Sequence, residues 1–308
     1  MQVDISQKHL KPTRTYSIAR AKAAGPGKCS CIPGIRLLII ILPVLLLGLS
    51  AISCRAQHSP IPNAFAHNDY WHKRPLYDAL SNGYMHIEAD IYLRNDELIV
   101  AHILPLFKKK KTLDQLYLKP LLETINGTNK EISCPVYSIM LMVDIKSDAE
   151  KTYLKLSELL KKYKHILTSY ENGVITNRQV TVVLTGNKPY KVLPAQTTRL
   201  AFIDEDLLRS RNDTLSPGLY QTASCKYSSL ISWDGNGKMP EKERIRLMKY
   251  VAIAHRNQKK VRLWASPERE TVWRALLDCG VDLINTDQLS ALKNFLLQEQ
   301  KSYAQSTQ

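Results

Sequence analysis

The sequence predicts an α/β chain folded as a single (β/α)8 barrel, preceded by an N-terminal signal or anchor segment. Short apolar strands alternate with amphipathic helices from Asn63 onward, and no long low-complexity linker interrupts them. About eight strand–helix units fit within roughly 230 residues, a density that suits a closed barrel better than a six-stranded open sheet. At 44% hydrophobic and 23% charged, the composition is that of a globular protein able to bury a sizeable core.

Residues 1–54 stand apart from the predicted barrel at 60–300. They hold seven of the 43 bases and one of the 28 acids, which leaves 36 bases against 27 acids for the rest. After Arg36 comes an uncharged run to Cys54 with the core LLIIILPVLLLGL, preceded by a basic stretch and followed by small residues. That is the layout of a secretory signal. It is short of the ~20 apolar residues of a spanning helix and is interrupted by Pro43. Ala51-Ile52-Ser53-Cys54 resembles a bacterial lipoprotein signal, in which the cysteine is lipidated. A lipidated, a cleaved and an uncleaved N-terminus all place the barrel outside the cytoplasmic membrane, as a periplasmic or cell-surface protein.

In order, strands are expected at Asn63–His67, Met85–Leu93 and, after a turn at Asn95-Asp96, Glu97–His102. Pro75–Gly83 has a helix-start proline and a closing glycine, and Leu113–Ile125 is helical. Tyr137–Lys146 is the strongly apolar kind of strand found inside parallel sheets, and Ala149–His165 follows as an amphipathic helix. Further strands are expected at Gln179–Leu184, Leu200–Ile203, Leu230–Ser232, Val261–Ala265 and Val281–Thr286. Helices at Glu241–Asn257, Arg269–Cys279 and Leu289–Gln298 complete the alternation.

On that map, chemistry-bearing residues gather at the ends of strands, where barrel active sites lie. His67 and Asn68 end the first strand, and Glu88 and Asp90, two apart, point to one side of the second. His102 ends the next extended run, Asp144 and Lys146 close IMLMVDIK, and Trp264 ends VRLW. Carboxylates on apolar strands are costly to bury unless paired or metal-bound, and a hard divalent ion would resolve that cost for Glu88, Asp90 and Asp144. Two histidines beside them supply an acid and a base near neutral pH.

This ordered set, closing with GVDLINTD up to Asp287, resembles the glycerophosphodiester phosphodiesterases and phosphatidylinositol-specific phospholipases C, a superfamily that includes the sphingomyelinase D-like enzymes. The resemblance spans roughly residues 63–290. It implies a metal-dependent phosphoric diester hydrolase cleaving glycerophosphodiesters or phospholipid headgroups. His67 and His102 would be the acid/base pair, Glu88, Asp90 and Asp144 would hold Ca2+ or Mg2+, and Lys146 would contact the phosphoryl oxygens. Two departures stand out. Where the family carries His-Arg-Gly, this chain has His67-Asn68-Asp69, which removes an arginine clamp on the phosphate. An asparagine there resembles the eukaryotic-type phospholipases C and assigns Asn68 to the metal. Asp144 also stands where many relatives carry Glu, and Asp-x-Lys is similar to the sphingomyelinase D-like branch.

The alternatives are a phospholipase C-like lyase forming cyclic phosphates and a non-catalytic lipoprotein that binds phosphorylated ligands. Trp264 is a substrate-site candidate, and Asp287 is expected to be structural or peripheral. The other histidines are expected at the surface or satisfied in the core, and Cys134, Cys225 and Cys279 as buried or unpaired thiols. Lys108–Lys111 reads as a solvated run, with steering of anionic lipid as its functional reading. Trp233 begins a turn expected at the barrel mouth. Asn126-Gly127-Thr128 is formally a glycosylation triplet, set aside because the signal looks bacterial. The basic excess favours anionic partners, a lipid or small-molecule phosphodiester and a membrane surface. No Cys/His finger, RNP aromatics or basic zipper points to nucleic acid.

Overall fold

The run Ile139–Ile145 (IMLMVDI) shows how the chain builds its centre. Its side chains alternate, so Leu141, Val143 and Ile145 join the cluster shared with the outer helices, while Met140 and Met142 join a separate inner cluster. A strand apolar on both faces belongs inside a sheet covered on both sides. The computed structural model describes residues 60–103, 111–132, 135, 137–210 and 218–306 and shows that arrangement repeated around a closed ring.

The strands are β1 (Ile61–Ala66), β2 (Tyr84–Arg94), β3 (Glu97–Val100), β4 (Ile139–Ile145), β5 (Ser169–Glu171), β6 (Val174–Thr176), β7 (Val180–Gly186), β8 (Thr198–Arg199), β9 (Phe202–Asp206), β10 (Tyr220–Lys226), β11 (Lys260–Trp264) and β12 (Leu283–Thr286). Eight of them, β1, β2, β4, β7, β9, β10, β11 and β12, pair in parallel in that order. The ring closes where Ala64 and Ala66 of β1 lie opposite Ile284 and Thr286 of β12. β3 folds back antiparallel on β2 through Asn95 and Asp96, both at positive φ. β5, β6 and β8 form a small separate sheet. Tyr170 and Ile175 of that sheet pack against the inner cluster of Phe65, Met140, Met142, Val183, Phe202 and Leu283. The barrel is thus filled by side chains: His86 and Lys260 meet at 3.1 Å on its N-terminal side, and the acidic residues lie toward the C-terminal strand ends.

Several expected elements shift for identifiable reasons. Leu113–Ile125 is not one regular helix: Asp114–Leu118 is a π turn that leads into the α-helix Lys119–Ile125. Pro120, in the first turn of that helix, has no N–H to continue an i→i−4 ladder from the preceding segment. The last helix, Leu289–Ser306, runs beyond its expected end. Leu230–Ser232 is not a strand. The sixth barrel strand is β10, YQTASCK, whose inward residues Thr222 and Ser224 are polar, so it carries no apolar run. Trp233 packs against the main core and donates its indole N–H to the Asn236 carbonyl.

Cys225 and Cys279 are buried free thiols, as expected. The leader to Cys54, Cys134 and Lys108–Lys110 lie outside the described residues. Among the described residues no helix is long and apolar enough to cross a membrane.

Candidate active site

Strand register, not sequence proximity, assembles the acidic centre. Parallel pairing sets Asp90 of β2 directly beside Asp144 of β4, and neighbouring strands lie about 4.8 Å apart. Glu88 enters from the same face of β2, two residues earlier. One ligand atom from each of Glu88, Asp90 and Asp144 lies within 4.8 Å of the others. Glu88 and Asp90 are 3% and 1% exposed, so their charges are withheld from water and need a counter-charge.

Lys146 supplies part of it. Its Nζ is 2.7 Å from Asp144 Oδ2 and 3.1 Å from Asp90 Oδ2. Burial works against the ammonium, but these two carboxylates hold its pKa above the ordinary lysine value. Arg262 supplies another cation, its Nη1 3.1 Å from Glu88 Oε1, but two cations still do not balance three acids. Burial, reinforced by the charges of Asp90 and Glu88, pushes the Asp144 carboxyl up despite the lysine. Asp144 Oδ1 is buried without a hydrogen-bond partner among the described residues. A divalent cation bound through oxygens fits this donor set on both counts: it supplies the missing charge, and carboxylate oxygen is its preferred ligand. Backbone space is reserved beside Asp144 as well. Gly186 ends β7 at φ +69°, and a Cβ there would lie 2.0 Å from Asp144 Oδ1.

The two histidines flank this centre, each held through Nδ1 by a carboxylate. His67 Nδ1 is 2.8 Å from Asp287 Oδ1, and His102 Nδ1 is 3.0 Å from Asp90 Oδ2. His67 Nε2 faces Glu88 Oε2 at 3.5 Å. Burial alone would lower the His67 pKa, but the Asp287 hydrogen bond and the charges of Glu88 and Asp287 raise it above the ordinary value. Asp287, expected to be structural or peripheral, is therefore the group that orients His67. Burial opposes its ionisation, yet the His67 contact keeps its carboxyl below the usual range.

Asn68 adopts the left-handed conformation, φ 48° and ψ 35°, which asparagine tolerates better than most residues. Its amide oxygen accepts a 2.6 Å hydrogen bond from Tyr70 Oη, and its backbone N–H approaches Glu88 Oε2 at 3.4 Å. Tyr70 was not legible as a site residue, yet its hydroxyl is also 2.8 Å from Asp90 Oδ2 and 3.3 Å from His102 Nδ1. Next to Asn68, Asp69 has a structural task. Its Oδ2 accepts from the Leu76 N–H at 2.6 Å and from Tyr117 Oη at 3.0 Å. That pins Leu76, a fully buried residue held at φ 66°.

His67, Glu88, His102, Asp144, Lys146 and Trp264 line one cavity of ≈ 540 Å³. Trp264 is 40% exposed at its rim, with Lys226 Nζ 5.8 Å from the ring centroid. Asp204, Ser224 and Arg262 are among the wall residues that went unread in the sequence, as are Thr185, Asn187 and Lys188. Arg262 carried a signal, since it precedes Trp264 by two and so faces the same side of β11. His102 also forms part of a second, largely apolar cavity of ≈ 410 Å³ with Tyr70, Trp71, Ile103, Lys111 and Leu116.

Residues 54–204 match the AIM6-like phosphodiesterase domain, and residues 260–290 match the glycerophosphoryl diester phosphodiesterase family. The barrel and these matches define a member of the phospholipase C-like phosphodiesterase superfamily. Altered inheritance of mitochondria protein 6 from Kluyveromyces lactis is 30% identical, over 76% of this chain and 72% of its own length. The Eremothecium gossypii protein of that name is 28% identical over 80% and 73%, and the Arthroderma benhamiae homologue 29% over 77% and 84%. The chain belongs to the altered inheritance of mitochondria protein 6 family. Among solved structures, the phosphatidylinositol-specific phospholipase C from Listeria monocytogenes is similar at 12% identity and a TM-score of 0.42, covering 78% of this chain and 94% of that one. A likeness this slight carries no weight for the site.

Proposed function

We propose that the chain is a divalent-metal-dependent phosphoric diester hydrolase acting on glycerophosphodiesters or phospholipid headgroups. One observation carries the reading: two histidines, each oriented through Nδ1 by a carboxylate, line the same cavity as Glu88 and Asp144 of the three-carboxylate cluster. A binding module has no need of two oriented histidines.

Pinned at Nδ1, each imidazole works through Nε2. One removes the proton from the attacking water or substrate hydroxyl, and the other protonates the departing alcohol. Asp287 and Asp90 fix the ring orientations and stabilise the imidazolium forms. Glu88, Asp90, Asp144 and the Asn68 amide oxygen would hold Ca2+ or Mg2+, which supplies positive charge for the phosphoryl oxygens. Lys146 adds a cation that can turn from Asp144 to the phosphate. The exposed apolar residues Trp71, Ile103, Tyr190 and Trp264 support a lipid substrate and a membrane surface as partner.

The test is turnover by the full chain, stripped of metal and resupplied with Ca2+ or Mg2+. The substrates are glycerophosphocholine, glycerophosphoinositol, phosphatidylinositol and lysophosphatidylcholine, with His67→Ala as control. Metal-dependent alcohol release lost in the variant supports the reading, and a cyclic phosphate among the products selects the lyase form. Metal binding without turnover of any diester removes the catalytic assignment.

A further inference from the structure

Arg262 is a full-length cation almost sealed inside the barrel wall, its side chain 3% exposed. Three neighbours fix its guanidinium. Nη1 donates to Glu88 Oε1 at 3.1 Å, Nε donates to Ser224 Oγ at 3.2 Å, and the group lies 4.6 Å from the centroid of the Phe65 ring. Ser224 is held in turn, because its hydroxyl donates to Asp204 Oδ1 at 2.8 Å. Asp204 also accepts from Thr222 at 2.6 Å and Thr185 at 3.0 Å, and Arg262 Nη2 lies 4.0 Å from its Oδ2. A planar guanidinium anchored at this many points cannot swing away from Glu88 without breaking buried hydrogen bonds.

The consequence falls on Glu88. Oε1 is committed to Arg262, while among the described residues Oε2 has only the long contacts to Asn68 N and His67 Nε2, 3.4 Å and 3.5 Å. Glu88 therefore offers the acidic cluster one oxygen, not two. Ca2+ takes six to eight oxygens and readily uses both atoms of a carboxylate, whereas Mg2+ demands six in octahedral array and keeps several as water. We propose that Arg262 is a positioning residue that restricts Glu88 to single-oxygen donation and so biases the cluster toward Mg2+ against Ca2+. This rests on the metal reading above and adds to it a residue that selects the ion.

The experiment is calorimetric titration of the metal-stripped full chain with Mg2+ and with Ca2+, repeated on Arg262→Met and Arg262→Lys. Freed of the guanidinium, Glu88 can chelate with both oxygens, so the ratio of the two dissociation constants should move toward Ca2+ by about tenfold or more in Arg262→Met. Arg262→Lys keeps a charge without the fork and should fall between. Loss of a merely structural or electrostatic neighbour would change both affinities together and leave the ratio alone. If Arg262→Met does not fold, Ser224→Ala removes the Nε anchor and should shift the ratio the same way by a smaller factor. An unchanged ratio in a folded variant, or a shift toward Mg2+, overturns the proposal while the metal reading stands. Binding of neither ion by the unaltered chain overturns both.

Discussion

Replacing Gly186 by alanine would place a Cβ 2.0 Å from Asp144 Oδ1, 2.7 Å from the Ile145 carbonyl oxygen and 3.1 Å from Asp144 Cγ. Real Cβ atoms do not approach others this closely, so the Asp144 carboxylate must retreat by roughly 1 Å or more. Holding a non-glycine residue at φ +69° adds about 1–2 kcal/mol of backbone cost. The sum is a stability loss of about 1–3 kcal/mol, readable as a shift in urea midpoint with an unchanged slope. The functional loss should be larger in proportion, because the displaced group is one of three charged donors to the cluster. Metal affinity should fall at least about tenfold in a folded protein, with kcat/KM falling alongside. Calorimetric metal titration with parallel denaturation separates the two effects. Unchanged metal affinity in the folded variant would show that Asp144 does not serve the cluster.

His67→Ala and His102→Ala should each lower kcat by about 10²–10⁴ in steady-state assays, and near-full activity would remove that histidine from the mechanism. Tyr70→Phe deletes a hydroxyl bonded to the Asp90 carboxyl and to Asn68, and should reduce kcat/KM by about 10–100-fold without unfolding the barrel. Asp69 should give a pH-dependent stability. Burial is the main cause of a carboxyl pKa raised from 3.8 to about 7 in the fold, so the native state holds a proton that the unfolded chain has released. Stability should therefore fall as pH rises from about 4 to about 7, by up to roughly 1.4 kcal/mol per pH unit from this group. Asp69→Asn should flatten that decline in urea unfolding followed across the range, and an identical slope would place the cause elsewhere.

The barrel and the acidic half of the site were legible because their signals are local. Met85–Leu93 and Tyr137–Lys146 announce themselves by apolar content, and acids placed among such residues draw attention at once. The opposite wall was not legible, because it breaks that rule. β10 fills its inward positions with Thr222 and Ser224, which carry no hydrophobic signature and make sense only once Asp204 and Arg262 are seen beside them. Asp287 and His67 are 220 residues apart, and only the closure of β12 on β1 brings them to 2.8 Å. Tyr70 sits in a single 3-10 turn, Asp69–Trp71, whose placement depends on the left-handed Asn68 before it and on Asp69 holding Leu76, neither of which has a period to read.

Phosphorus NMR on the full chain with a single diester tests the central claim most directly. The spectrum would be followed with Mg2+, with a chelator, and with Mg2+ for Asp90→Asn, a change that strips charge from both the cluster and the His102 pair. The account expects the diester resonance to give way to a monoester or cyclic phosphate only in the first condition. Equal conversion in chelator, or in Asp90→Asn, would contradict it.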